Sequence, residues 1–340
     1  MSNITIAIDA MGGDHGTVVT VPAALRALKK HPDLKLILVG DPAAIKKELD
    51  DRHVTEERLV IQHASEVVMM DESPAKALRL KRDSSMRIAV NLVKSEAAQA
   101  CVSAGNTGAL MAVAHYVLKT LHGIDRPAII SHLPTYKTDK SVTMLDLGAN
   151  SDVSPEHLYQ FAVMGAVLAS AHFNIEKPRV ALLNIGVEQI KGNDLVKAAD
   201  KLFAQSNFFE YIGYIEADGI FPGIADVVVC DGFAGNIALK AMEGTAKMIG
   251  HCAKQAFSRN IFTKISALFA MSSLKHVINR LDPGKHNGAS LIGLKGIVVK
   301  SHGNANERAF ANAIEEAYIE VEKNVPQKIG EKVGELLGVN

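Results

Sequence analysis

Short β-branched runs recur along the chain, and several are apolar throughout with no alternation of polar positions. They are Ile4–Ile8, Leu34–Val39, Leu59–Ile61, Ala100–Val102, Ala128–His132, Val142–Leu145, Val180–Leu183, Val227–Cys230 and Ile297–Lys300. A strand buried on both faces has this pattern, whereas a half-solvated strand alternates. Helical stretches follow most of them: Thr17–Lys30, Pro42–Leu49, Gly108–Leu121, Pro155–Ala171, Asp194–Gln205, Asn236–Ala256 and Asn306–Glu322. Alternation of this kind requires parallel strands and right-handed crossovers, hence a three-layer α/β protein with a mostly parallel sheet. No Pro/Gly/Ser-rich linker, repeat or low-complexity segment divides the chain. One large α/β unit and two intimately joined ones both fit, and residues 1–340 are taken as one.

Composition excludes several classes. The 340 residues carry 37 Lys+Arg against 37 Asp+Glu, a balance unlike that of a nucleic-acid binder. With 48% hydrophobic and 22% charged residues the chain is globular, not disordered. Cys101, Cys230 and Cys252 are odd in number and form no C-x-x-C pair, so no disulfide framework or thiolate zinc cage is expected. The start MSNITIAIDAMGGD lacks a basic n-region, and no run of 18 apolar residues occurs. A cytoplasmic protein is expected, with peripheral membrane contact left open.

The strand ends carry the chemical signal. Ile4–Ile8 runs into Asp9-Ala-Met-Gly12-Gly13-Asp14, and Ala100–Val102 into Ser103-Ala-Gly105-Asn106-Thr107-Gly108. Val142–Leu145 leads to Asp146-Leu-Gly148-Ala-Asn150, and Val180–Leu183 to Asn184-Ile-Gly186-Val-Glu188-Gln-Ile-Lys191-Gly192. Val227–Cys230 ends in Asp231-Gly232-Phe-Ala-Gly235-Asn236, and Ile297–Lys300 in Ser301-His302-Gly303-Asn304. In an open parallel sheet these ends point one way, so six Gly-plus-polar turns are expected to converge on one anion site. The P-loop, the dinucleotide fingerprint, G-x-S-x-G and H-E-x-x-H are all absent. Cys230 beside Asp231 is either a nucleophile or a small buried thiol, and the second reading is favoured. Lys191 either meets an anion or is a solvated lysine, and His302 is either an acid/base group or structural. The acids Asp9, Asp14, Asp146 and Asp231 show no metal-ligand spacing, so no metal is expected.

These motifs closely resemble those of the bacterial acyl-ACP:phosphate acyltransferases of glycerolipid synthesis (the PlsX family). The resemblance spans nearly the whole chain through IAIDAMGGD at Ile6–Asp14, ALRLKRDSSM at Ala77–Met86 and SAGNTGAL at Ser103–Leu110. LDLGAN at Leu145–Asn150, LLNIGVEQIKGN at Leu182–Asn193, CDGFAGNIALK at Cys230–Lys240 and GLKGIVVKSHGNAN at Gly293–Asn306 complete it in order. Val187 stands where many members carry Glu, which removes it as an acid. The resemblance implies a fold similar to phosphotransacetylases and isocitrate-dehydrogenase-like enzymes. It implies transfer of a long fatty acyl group from acyl carrier protein to inorganic phosphate. The acyl phosphate formed would feed a membrane glycerol-3-phosphate acyltransferase, and members look like homodimers without a cofactor. The alternatives are a small-acyl phosphotransacetylase using acyl-CoA and a non-catalytic membrane scaffold.

Under that reading Lys191, His302 and Asn184 are the expected catalytic set. Asp9, Gly12, Gly13, Asp14, Ser103, Asn106, Thr107, Asp146, Asn150, Glu188, Asp231 and Asn236 are the expected phosphate- and substrate-binding set. Lys76, Arg79, Lys81 and Arg82 form a basic run suited to an acidic carrier, or a solvated helix face. Residues 255–281 break the strand–helix rhythm and carry apolar stripes edged by Arg259, Lys264, Lys275 and Arg280. A helical hairpin that contacts the dimer partner, an anionic bilayer or both is expected there.

Overall fold

The computed structural model describes residues 4–137, 140–260, 262–263, 266, 270 and 287–337. Eleven strands form one sheet in the order β3-β2-β1-β4-β11-β10-β5-β6-β9-β7-β8. They are β1 (Ile4–Asp9), β2 (Leu34–Gly40), β3 (Leu59–His63), β4 (Ala100–Ser103), β5 (Ala128–Pro134), β6 (Ser141–Leu145), β7 (Arg179–Leu183), β8 (Glu210–Ile215), β9 (Val227–Val229), β10 (Ala289–Ile292) and β11 (Ile297–Lys300). The helices are α1 (Thr17–Lys30), α2 (Pro42–Asp50), α3 (Pro74–Leu80), α4 (Ser85–Lys94), α5 (Thr107–Leu118), α6 (Pro155–Phe173), α7 (Asp194–Phe203), α8 (Gly232–Ser258), α9 (Glu307–Glu322) and α10 (Val325–Leu337). The class is the three-layer, mostly parallel α/β arrangement expected from the apolar runs.

Strand alternation divides the core. Ala7, Cys101, Ile129, Leu133, Val298 and Leu291 face α4, α5 and α8. On the other face Ile6, Ile8, Val102 and Val299 pack on α1 and α9, while Ile130, Leu145, Val180 and Val227 pack on α6. Most strands therefore bury both faces, which is why their sequences do not alternate.

The strands do not all run one way, as an open parallel sheet would have them. β10 runs antiparallel to both β11 and β5, and β5 and β6 form an antiparallel pair. The block β3-β2-β1-β4-β11 is parallel, as is the block β6-β9-β7-β8, but the two run in opposite senses. The turns of the two blocks therefore approach from opposite directions, and because Val299, Ser290, Ile130, Leu145, Val229 and Leu182 form one lateral row, the carboxyl ends of both blocks meet at the same level of the sheet. Neither β10 (ASLI) nor β8 (EYIGYI) is among the runs read from the sequence, and β10 helps to reverse the second block.

The hairpin expected at 255–281 begins inside α8, which extends to Ser258. Most of the remainder lies outside the described residues. Among the described residues no helix is long and apolar enough to cross a membrane.

Candidate active site

A polar row crosses the sheet at the carboxyl ends of β1, β4 and β11. Ile8 pairs with Val102 and Ser103 with Lys300, so Asp9, Ser103 and Lys300 are lateral neighbours on one face. Ser103 Oγ donates to Asp9 Oδ2 at 2.6 Å and accepts from the Gly105 amide at 3.0 Å. Burial raises the Asp9 carboxyl above the usual range, more than the Ser103 hydrogen bond lowers it. Burial pulls the Lys300 ammonium down to about 8, against the opposing charge of Asp9. Lys300 Nζ donates to the Ala104 carbonyl at 3.3 Å and to the Ser301 carbonyl. Gly13 sits at φ +86°, a conformation that L side chains rarely adopt. The same turn bonds the Asp14 amide to the Gly303 carbonyl at 2.8 Å, which ties the first turn to the last.

His302 follows directly. Its amide donates to Asn287 Oδ1 at 2.9 Å, and its Nε2 lies 3.0 Å from Glu243 Oε1 on α8. Burial alone would raise Glu243, but the His302 hydrogen bond and Lys240 outweigh it and hold the carboxyl below its ordinary value. An imidazole oriented by a carboxylate has the geometry that general acid/base chemistry uses.

A cavity of about 1250 Å³ opens beside these groups, above the usual range of roughly 300–1,000 Å³ for small-molecule sites. Its polar contributors include Thr107, Lys300 and His302, while Met111, Ile129, Leu133, Leu147, Leu239 and Met242 are apolar. Ile129 and Ser131 to Pro134 line one side, a length of about 17 Å at strand rise. Helix α8 spans it, with Asn236 and Glu243 both in the lining.

Only part of the expected set reaches this cavity. Thr107, Asn236 and His302 line it, and Asp9, Ser103 and Gly12 are buried in or beside the polar row. Asn106 instead caps α5 by accepting from the Ala109 amide at 3.0 Å, while its Nδ2 donates to Met70 and Glu72 carbonyls at 2.7 and 3.0 Å. Both ends of that amide are used structurally, which corrects its assignment as a phosphate ligand. Asp146 accepts from the amides of Ile129, Gly148, Ala149 and Asn150 and from Asn150 Nδ2. A carboxylate so saturated organises its own turn, and Asn150 Nδ2 is spent on it and on Pro127 O. Asp231 caps α8 through the Ala234 amide at 2.9 Å. Much of the polar turn signal is therefore helix capping.

The β7 turn is displaced laterally from the Asp9–Lys300 row, with β10, β5, β6 and β9 between β11 and β7. Lys191 and Glu188 are exposed and, with Asn184, lie outside the cavity lining. Asn184 Nδ2 is a buried donor without a hydrogen-bond partner among the described residues. Cys230 is buried and its thiol is pushed well above its ordinary value by burial and by Asp146, so it is no nucleophile.

A family model described as "Fatty acid synthesis protein" matches residues 4–328. A protein of Coxiella burnetii (strain Dugway) named phosphate acyltransferase is 59% identical over 98% of this chain and 97% of that one. One of the same name from Legionella pneumophila (strain Paris) is 57% identical over 99% and 98%. The chain belongs to the phosphate acyltransferase family. In fold, this family member is similar to a phosphotransacetylase from Streptococcus pyogenes, at TM-score 0.62 and 19% identity over 96% of this chain and 94% of that one. The EutD phosphotransacetylase from Staphylococcus aureus gives 0.59 at 16% identity over 96% and 94%.

Two groups of this phosphate acyltransferase family member escaped the sequence reading. Lys300 is a charge that ends an otherwise apolar strand, and Glu243 is the single acid between Gly232 and Ser258. Either anomaly was available as a signal. The basic run lies on and after α3, whose Pro74 abuts Gly108 at the cavity. Lys76 pairs with Glu72 at 3.5 Å and Lys81 with Glu66 at 3.9 Å, while Arg79 and Arg82 are exposed.

Proposed function

We propose that this enzyme transfers a long acyl group from the thioester of acyl carrier protein to inorganic phosphate. The observation that carries the reading is the cavity: a largely apolar slot about 17 Å along β5, with a lysine, a His–Glu pair and a helix N-terminus among its polar groups. An acetyl group would leave most of that volume empty, which favours the long-chain donor over a small-acyl phosphotransacetylase.

Phosphate near neutral pH is already partly the dianion, so it needs orientation more than deprotonation. Lys300 supplies a charge for it. Holding phosphate against the thioester carbonyl is worth up to about 7–11 kcal/mol in ideal geometry. Negative charge then develops on the carbonyl oxygen, within reach of the Thr107 and Gly108 amides at the start of α5. Asn106 caps the Ala109 amide and leaves those two free of a side-chain partner. His302, held by Glu243, protonates the departing thiolate. No covalent enzyme intermediate is required.

Lys300 sets a pH dependence. Its charged form binds phosphate, and it loses its proton near pH 8 rather than near the ordinary lysine value of about 10.4. The kcat/KM for phosphate is therefore expected to fall as pH rises through about 8. Lys300→Arg keeps the charge and flattens that limb. An unchanged limb in Lys300→Arg would remove Lys300 from phosphate binding.

Arg79 and Arg82, exposed on and just after α3, suit an acidic carrier protein. Assayed with phosphate, the enzyme should prefer long-chain acyl carrier protein over acetyl-CoA. Arg79→Glu with Arg82→Glu should raise KM for the carrier with little change for phosphate. Preference for acetyl-CoA would overturn the long-chain reading. Unchanged carrier KM would move the docking face elsewhere. A homodimer is proposed on α8, whose Phe233, Ile237 and Met248 are exposed.

A further inference from the structure

On the sheet face opposite Ile129, Ser131 and Leu133, three elements bring two imidazoles and a carboxylate together. His132 stands on β5, His172 in the last turn of α6, and Glu316 on α9. His132 Nε2 is 3.4 Å and His172 Nδ1 3.8 Å from the same oxygen, Glu316 Oε1. One ligand atom from each of the three residues lies within 4.8 Å of the other two. Both nitrogens are sealed from solvent, and beyond these contacts with Glu316 neither meets a hydrogen-bond partner among the described residues. Glu320, one turn further along α9, is 2% exposed and also leaves Oε1 unpartnered.

Buried polar atoms are almost always satisfied, and here several in one cluster are not. We propose that His132, His172 and Glu316 form a zinc site that ties β5, α6 and α9 together behind the catalytic face. Two imidazole nitrogens and one carboxylate oxygen are a borderline donor set suited to zinc, with a fourth position for water or Glu320. In tetrahedral geometry with bonds of about 2.0–2.1 Å, neighbouring ligand atoms stand about 3.4 Å apart. The two measured edges of 3.4 and 3.8 Å already approach this, and the widest edge needs to close by no more than about 1.4 Å.

The surroundings also match. His132 Nδ1 lies 3.0 Å from Thr143 Oγ1, its register partner on β6, which presents the ring with Nε2 toward Glu316. A metal-bound histidine usually spends its second nitrogen in this way. The ligands are 40 and 144 residues apart in the chain, so no motif spacing announces them.

The proposal goes beyond the acyltransferase reading and is tested without it. Protein stripped with a chelator is titrated with zinc chloride by calorimetry and followed by thermal unfolding. One zinc per chain and a raised Tm are expected. His172→Ala should weaken binding at least 100-fold, and Thr143→Val, which keeps the ligands, about 10–100-fold. Cobalt(II) in place of zinc should give visible bands of a low-coordinate site without thiolate charge transfer, which excludes Cys252 as a ligand. Absence of stoichiometric zinc binding in the wild type would overturn the site. So would unaltered affinity in both variants.

Discussion

His302→Gln lowers kcat by about 10²–10⁴-fold, the usual contribution of a positioned general acid. KM for phosphate changes little, because Lys300 and the start of α5 still hold the anion. Glu243→Gln keeps a hydrogen bond to His302 but removes the charge that favours imidazolium, so its loss is smaller. The double variant is no worse than His302→Gln, since residues that act as a unit are not additive. Steady-state kinetics with acyl carrier protein thioester and phosphate decides this. A wild-type kcat in His302→Gln would mean that the thiolate leaves unaided.

Gly235→Ala destabilises the fold by about 3 kcal/mol or more, at the upper end of overpacking costs. A Cβ at Gly235 would lie 1.9 Å from the Asp146 carbonyl oxygen and 2.8 Å from Cys230 Sγ. The Asp146 backbone is held by a side chain that accepts from five donors, so it yields little. The start of α8 is pushed off the β6 turn, and the cavity that α8 lines deforms with it. Gly244 of the same helix is the contrast, because a Cβ there meets nothing within 4 Å. Gly244→Ala should be neutral or stabilise by up to about 1 kcal/mol through helix propensity. Denaturant unfolding of the two variants gives the comparison, and equal midpoints would show that α8 docks more loosely than this contact requires.

The α/β class, the strand runs and the helices that follow them were legible because each rests on local chemistry. Unbroken runs such as Val180–Leu183 and Val227–Cys230 record burial on two faces, and Asn106, Asn193, Asp231 and Asn306 mark helix starts. His302 was legible as a candidate, as an imidazole in a Gly-rich turn at a strand end. The same local logic over-assigned Asn106, Asp146, Asn150 and Asp231, since a capping side chain and a ligand-binding one use the same residue types. Sequence motifs alone also carried the family, because seven segments in order are far more specific than any one.

What only the tertiary structure decided is direction and convergence. β10 is four residues long, and nothing in ASLI records whether it runs with or against its neighbours. That sense, together with the β5–β6 hairpin, brought the carboxyl ends of the two blocks to one level, while the four strands between β11 and β7 keep Lys191 and Asn184 out of the cavity that Lys300 and His302 line. The His302–Glu243 pair spans 59 residues and the His132–His172–Glu316 cluster spans three elements, so each exists only once the sheet has folded. A residue's own neighbours in the chain determine whether it is buried or turned. Which distant groups it meets is set by strand pairing and helix packing, and the chemistry of this cavity depends on those.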